Sequence, residues 1–160
     1  MQNVTVLCVG KLKEKFYADA CTEYQKRLTR CCKLSLVELN EERLPENPSA
    51  AQIEAALARE ATAIEERLPR GGTVIALCVE GKALSSEQLA ETLARCAVSG
   101  AGGVTFLIGG SFGLAERVKR AAAVRLSMSP MTFPHHLARV MLLEQLYRAY
   151  QIQNGTKYHK

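Results

Sequence analysis

Three glycines fall within five residues at Gly109-Gly110-Ser111-Phe112-Gly113, directly after the apolar run Val104–Ile108. That density means the backbone either turns tightly or comes close to something there. A helix-type pattern resumes at Leu114. Strand, glycine turn and helix in that order place a ligand at the carboxyl end of a strand in an α/β protein. The turn is no familiar phosphate cradle: no Gly-Lys-Ser/Thr follows it, and it does not match Gly-x-Gly-x-x-Gly. Downstream, Leu126-Ser127-Met128-Ser129-Pro130-Met131-Thr132-Phe133-Pro134-His135-His136 forms a second loop. Its prolines stiffen the chain, while Met128, Met131 and Phe133 are costly to leave in water. The loop is therefore either a buried plug or the wall of an apolar pocket with backbone polar groups on offer. Such a pocket suits a flat, neutral purine ring better than a triphosphate.

The elements that must position these loops are read from periodicity and punctuation. Val4–Gly10 is a first strand ended by glycine. Tyr17, Ala20, Cys21, Tyr24 and Leu28 recur at helical spacing, predicting a helix over Phe16–Leu28. Leu34–Leu39 alternates strictly, as a half-exposed or edge strand does. Asn40–Pro48 is rich in acids and turn formers and is expected to be a mobile loop. Ser49-Ala50-Ala51-Gln52 is a capping box opening a helix to about Leu68, with Ile53, Leu57, Ala61, Ile64 and Leu68 on one face. Thr73–Val79 is continuously apolar, as expected of a central parallel strand covered on both faces, and Glu80-Gly81-Lys82 reads as the turn leaving it. Ser85-Ser86-Glu87-Gln88 caps a helix ending near Val98, before Gly100-Ala101-Gly102-Gly103. Val104–Ile108 is another buried strand, Leu114–Ala122 a short basic helix, Val124–Met128 a short strand, and Leu137–Ile152 the last helix. Strands alternating with helices give an α/β fold with a mostly parallel sheet, one domain over residues 1–160.

The last helix is apolar nearly all round, with Leu137, Val140, Met141, Leu142, Leu143, Leu146, Tyr147, Ala149 and Tyr150. Such a helix is buried on more than one side. Either it lies deep within one monomer, or its spare face meets a second subunit, most commonly in a two-fold dimer.

Composition excludes several classes. The chain is 48% hydrophobic and 23% charged, ordinary for a globular protein. No apolar run reaches membrane-span length, and the N-terminus shows no signal-peptide pattern, so a cytoplasmic protein is expected. The six cysteines form no Cys-x-x-Cys pair and have no histidine at zinc-ligand spacing. Free thiols in a reducing compartment, and no metal, are the expectation. A net charge of +5 fits either a polyanionic partner or a solvated basic surface.

Several segments, taken together, resemble the RlmH family. They are Ile108–Leu114, Leu126–His135, Arg139-Val140, Glu144-Gln145-Leu146-Tyr147-Arg148-Ala149 and Tyr158-His159-Lys160, joined by Val9-Gly10-Lys11-Leu12-Lys13 and Glu80-Gly81-Lys82. The resemblance covers nearly the whole chain, and no family motif is missing. These are small SPOUT-class methyltransferases that methylate N3 of a pseudouridine in 23S ribosomal RNA. The resemblance implies an S-adenosylmethionine cofactor and a C-terminal trefoil knot, a feature general rules of chain topology disfavour. It also implies a homodimer packed through the knot region. Family cofactor contacts carry over onto Leu77, Gly109, Met128, Ser129, Pro130, Met131, Thr132 and Phe133.

Methylating an imide nitrogen requires loss of its proton, which a base, or a cation beside the developing oxyanion, assists. Arg148 is the candidate cation, with Glu144 one helical turn earlier to orient it; a plain surface ion pair is the alternative. His136 or His159 is the candidate base, against a neutral capping or surface role. Lys157, Tyr158 and His159 in the tail could bind phosphate and stack on an unpaired base, the tail of one subunit completing the site of the other. A frayed terminus is the alternative. Two rival functions stand beside this one: a non-catalytic ribosome-binding or assembly factor, and a nucleotide-dependent α/β enzyme. The absent P-loop and the apolar second loop speak against the latter.

Overall fold

A computed structural model describes residues 1–100 and 102–160; of the expected Gly100–Gly103 break, Ala101 lies outside the described residues. The chain runs β1 (Asn3–Val9), α1 (Lys15–Leu28), β2 (Lys33–Leu39), α2 (Ala50–Arg67), β3 (Thr73–Ala83), α3 (Ser86–Val98), β4 (Val104–Ile108), α4 (Glu116–Ala121), β5 (Val124–Ser127) and α5 (His135–Gln153). The five strands form one parallel sheet in the order β2-β1-β4-β3-β5.

Period-two alternation sorts the strand side chains onto two faces. Val4, Val6, Cys8, Phe106 and Ile108 meet Leu28 of α1, Leu93 of α3 and Leu142, Leu143 and Leu146 of α5 on one side. Leu7, Val9, Ala76 and Leu107 meet Ala61 and Ile64 of α2 and Val118 of α4 on the other. β4, flanked by β1 and β3, is buried at every position. β2 is the expected edge strand, with Lys33, Ser35 and Glu38 at its exposed positions.

Local capping signals act where expected. Ser49 and Ser85 each accept the backbone N–H three residues on, and Gln52 and Gln88 return the bond to the cap. Four expectations need correction. Glu80-Gly81-Lys82 is no turn: β3 continues to Ala83, and its pairing with β5 jumps between Leu77 and Lys82. A side chain at Gly81 would collide with the Arg125 and Leu126 backbone, so glycine lets the two strands close in there. β3 is an interior strand between β4 and β5, but it is not covered on both faces along its length, since Val79 is exposed. The short basic helix starts at Glu116, because Leu114 drops into the core first. The last helix starts earlier than expected, Pro134 at its N-cap making His135 and His136 its first residues. α5 packs against α1 and α3 while Leu137, Val140, Met141 and Tyr147 remain only half-buried. Among the described residues, no helix is long and apolar enough to cross a membrane.

Candidate active site

The carboxyl ends of β4 and β5 and the middle of β3 frame a cleft of about 810 Å³. Its walls are Leu77–Glu80 on β3, the glycine turn Ile108–Leu114, and Met128–His136 leading into α5, with Lys119 from α4. Leu77, Gly109, Met128, Ser129, Met131, Thr132 and Phe133 all line it; Pro130 alone of that group does not. Most of the lining is apolar or backbone, which fits a ligand with a flat neutral ring.

The two loops are set by their own bonds. Gly113 donates its N–H to the Gly110 carbonyl at 3.0 Å, closing the turn with Gly113 at φ 81°. A side chain at Gly109 would overlap the Gly113 backbone, and one at Gly110 would strike the Glu41 carboxylate. Gly109 is thus demanded by the protein's own packing, whatever the cleft holds, whereas at Gly110 the obstacle is the end of a flexible side chain. Glu41 Oε1 accepts the Ser111 N–H at 2.6 Å, and Glu60 accepts the Glu42 N–H at 2.9 Å. The expected mobile loop at 40–48 is therefore tied at its start to the glycine turn and to α2. In the second loop, the Ser127 hydroxyl donates to the Ser129 carbonyl and the Ser129 hydroxyl accepts the Met131 N–H, both at 3.0 Å. Met131 is 73% exposed, so the loop is a cleft wall and not a buried plug.

At the floor of the wall, the His135 and His136 rings meet edge-on at 4.1 Å. Burial, with His136 close by, holds the His135 imidazole below its usual pKa. His136 places Nδ1 3.6 Å from Glu14 Oε2. His135 carried no role in the sequence reading, and its signal is tertiary. The same holds for Arg139, 3% exposed, which donates to Glu38 Oε2 at 2.6 Å and to the Gly10 carbonyl at 3.0 Å. It fastens the start of α5 to the ends of β1 and β2.

Arg148 lies outside the cleft. It is bound to Glu144 at 2.7 Å, the spacing the sequence suggested, and stands 4.8 Å from the Tyr158 ring centre. The tail is docked, not frayed. Tyr158 packs edge-on against Tyr147 at 4.9 Å and donates to Glu144 at 3.0 Å, while His159 meets Glu87 at 2.8 Å and Arg148 at 3.4 Å. Lys157 is exposed. Within one chain, then, the cleft residues converge, and Arg148, Tyr158 and His159 form a separate cluster.

The sequence of residues 2–159 matches the family model described as "Predicted SPOUT methyltransferase". The chain belongs to the SPOUT methyltransferase family. It is 46% identical over 158 residues to a protein of Clostridioides difficile named "Ribosomal RNA large subunit methyltransferase H", covering 99% of both chains. A protein of the same name from Pelotomaculum thermopropionicum is 50% identical over 159 residues, again covering 99% of each. The resemblance to the RlmH group is thus a family relationship. Among solved structures, a probable methylase family protein from Haemophilus influenzae Rd KW20 superposes with a TM-score of 0.57 at 14% identity, covering 99% of this chain and 71% of that one. A probable methyltransferase from Bordetella pertussis Tohama I also gives 0.57, at 16% identity, covering 92% and 93%. At such identities these two speak for the SPOUT fold alone.

Proposed function

We propose that this chain transfers the methyl group of S-adenosylmethionine to N3 of a pseudouridine in 23S ribosomal RNA of the large ribosomal subunit. The carrying observation is the cleft between the middle of β3 and the ends of β4 and β5 in a member of this family, lined by residues of both signature loops. The relatives' names support ribosomal RNA as the substrate. A cleft of about 810 Å³ lies within the roughly 300–1,000 Å³ of small-molecule sites, and its apolar walls fit an adenosine. Leu77, Gly109 and the Met128–Phe133 loop would hold it. A non-catalytic assembly factor has no use for such a cleft.

Bound there, the cofactor supplies an electrophilic methyl group. Transfer to nitrogen is an in-line displacement, so the chain's main task is to position the two reactants. The imide proton must be removed, and the histidine pair stands in the cleft wall to accept it: His136, or else His135, whose pKa is lowered by burial. Arg148 would stabilise the developing oxyanion. Because Arg148, Lys157, Tyr158 and His159 sit away from the cleft of their own chain, they serve the cleft of a second copy. The half-buried stripe Leu137, Val140, Met141 and Tyr147 on α5 supports that homodimer, with residues 1–160 acting as one SPOUT unit whose C-terminal part is threaded as a trefoil knot. The reaction belongs where ribosomes are, in the cytoplasm.

Labelled methyl transfer to assembled ribosomes and to naked ribosomal RNA, with the modified base mapped, tests the proposal. Label at N3 of a pseudouridine is the expected result. Calorimetry showing no S-adenosylmethionine binding at millimolar cofactor would end the enzyme reading.

A further inference from the structure

Glu80 from β3 and Lys119 from α4 both line the cleft and form a hydrogen-bonded ion pair. Apart from the two histidines, they are the only formally charged side chains among the described residues lining it. We propose that this pair recognises the amino-acid end of the cofactor, Glu80 taking its ammonium and Lys119 its carboxylate. The inference rests on the S-adenosylmethionine reading above and assigns the part of the ligand that reading leaves without partners.

An adenosine can be satisfied by Leu77, Phe133 and loop backbone, but an ammonium and a carboxylate set against apolar walls lose their hydration without return. Opposite charges on adjacent groups of the cleft match a zwitterion, and charge-assisted hydrogen bonds are the stronger kind. Their mutual pairing leaves each free to bind. The Lys119 ammonium has three donors, directed so far at Glu80 and, at 3.5 Å, at Glu116. The Glu80 side chain is 53% exposed, and its second oxygen has room for another donor. Lys119, only 16% exposed, is held in place by the packing around it. Each group stabilises the ionised form of the other, Lys119 shifted up and Glu80 down by their hydrogen bond. The competing role, a strut between α4 and β3, requires no ligand contact at all.

Titration calorimetry on the full chain separates the two. S-adenosylhomocysteine and methylthioadenosine share the adenosine and an uncharged sulfur, and differ only at the amino-acid end. The wild type is expected to bind the former at least about tenfold more tightly. Glu80→Gln and Lys119→Gln should each erase most of that preference, leaving methylthioadenosine affinity within about twofold, while Lys119→Arg keeps it. Variants that retain the wild-type preference overturn the inference, as do variants that lose both ligands equally, which marks a strut. A wild type that binds neither ligand overturns the cofactor reading and this inference with it. Methylthioadenosine bound alone overturns the inference and leaves an adenosine site.

Discussion

At the N-terminal end of α5 the molecule keeps open a cleft of about 810 Å³, walled by apolar side chains and loop backbone. In the helix's later turns, the tail instead folds Arg148, Tyr158 and His159 into a closed set of bonds with Glu144 and Glu87. The first region has room and few polar partners, as a site built for a neutral ring should. The second has its polar groups already paired, and its Arg148 guanidinium rests on a carboxylate. A helix alone can carry both, but it cannot bring them together, because residues about twelve positions apart on it stand roughly 18 Å apart along its axis. The difference teaches that one chain keeps the cleft and the Arg148 cluster apart, and the proposed second copy is what would bring them together.

Three experiments break or sharpen that contrast. Removing Lys157–Lys160 should cut methyl transfer by on the order of a thousandfold while leaving cofactor affinity within about twofold, since the interactions lost are those made with the reacting RNA. Single-turnover label transfer and calorimetry read the two quantities, and normal transfer by the truncated chain would reduce the tail to a structural cap. Gly109→Ala should do the reverse. Its new methyl overlaps the Gly113 backbone, so the turn must open, and affinity for S-adenosylmethionine should fall by roughly a hundredfold. Unchanged binding would show that the turn can relax without reshaping the cleft.

The smallest effect is a pH dependence confined to one region. His135 has its pKa lowered by burial, so as pH falls below its ordinary value of about 6.5 the unfolded chain takes up the proton first. Stability is therefore greatest above that value and declines as pH falls toward the folded-state pKa. Glu87 acts in the same direction, in a lower pH window. Its hydrogen bond to His159 depresses it from 4.5 to about 2, so its contribution is present above 4.5 and lost only as pH falls toward 2. Urea midpoints at about pH 7.5 and 5.5 should fall modestly for the wild type and less for His135→Gln. An equal fall in both would move the titration to another group.

Much of this was legible before the fold was known. The two capping boxes were readable because each joins residues three apart, and the core strands because their runs are apolar throughout. The two loops announced a site by composition: glycines where the chain must turn, prolines and methionines where it must line a cavity. The misreadings share a cause. Glu80-Gly81-Lys82 has the composition of a turn, yet the β5 backbone lies against Gly81 and keeps it in the sheet. Glu41 caps a turn 70 residues away, and Arg139 ties down a glutamate 101 residues away. Nothing in their own neighbourhoods marks them.

Thus the amino-acid order by itself determined the alternation of strand and helix, the capped helix starts, the membership of a methyltransferase family and the two loops that line the cleft. Only the tertiary structure decided that Gly109 is required by its own neighbours, that His135 is a half-buried wall residue, that Glu80 meets Lys119, and that Arg148 stands apart from the cleft. Periodicity and capping act over a few bonds of chain and leave their mark in local sequence. The rest depends on where distant segments return in space, which no local pattern records.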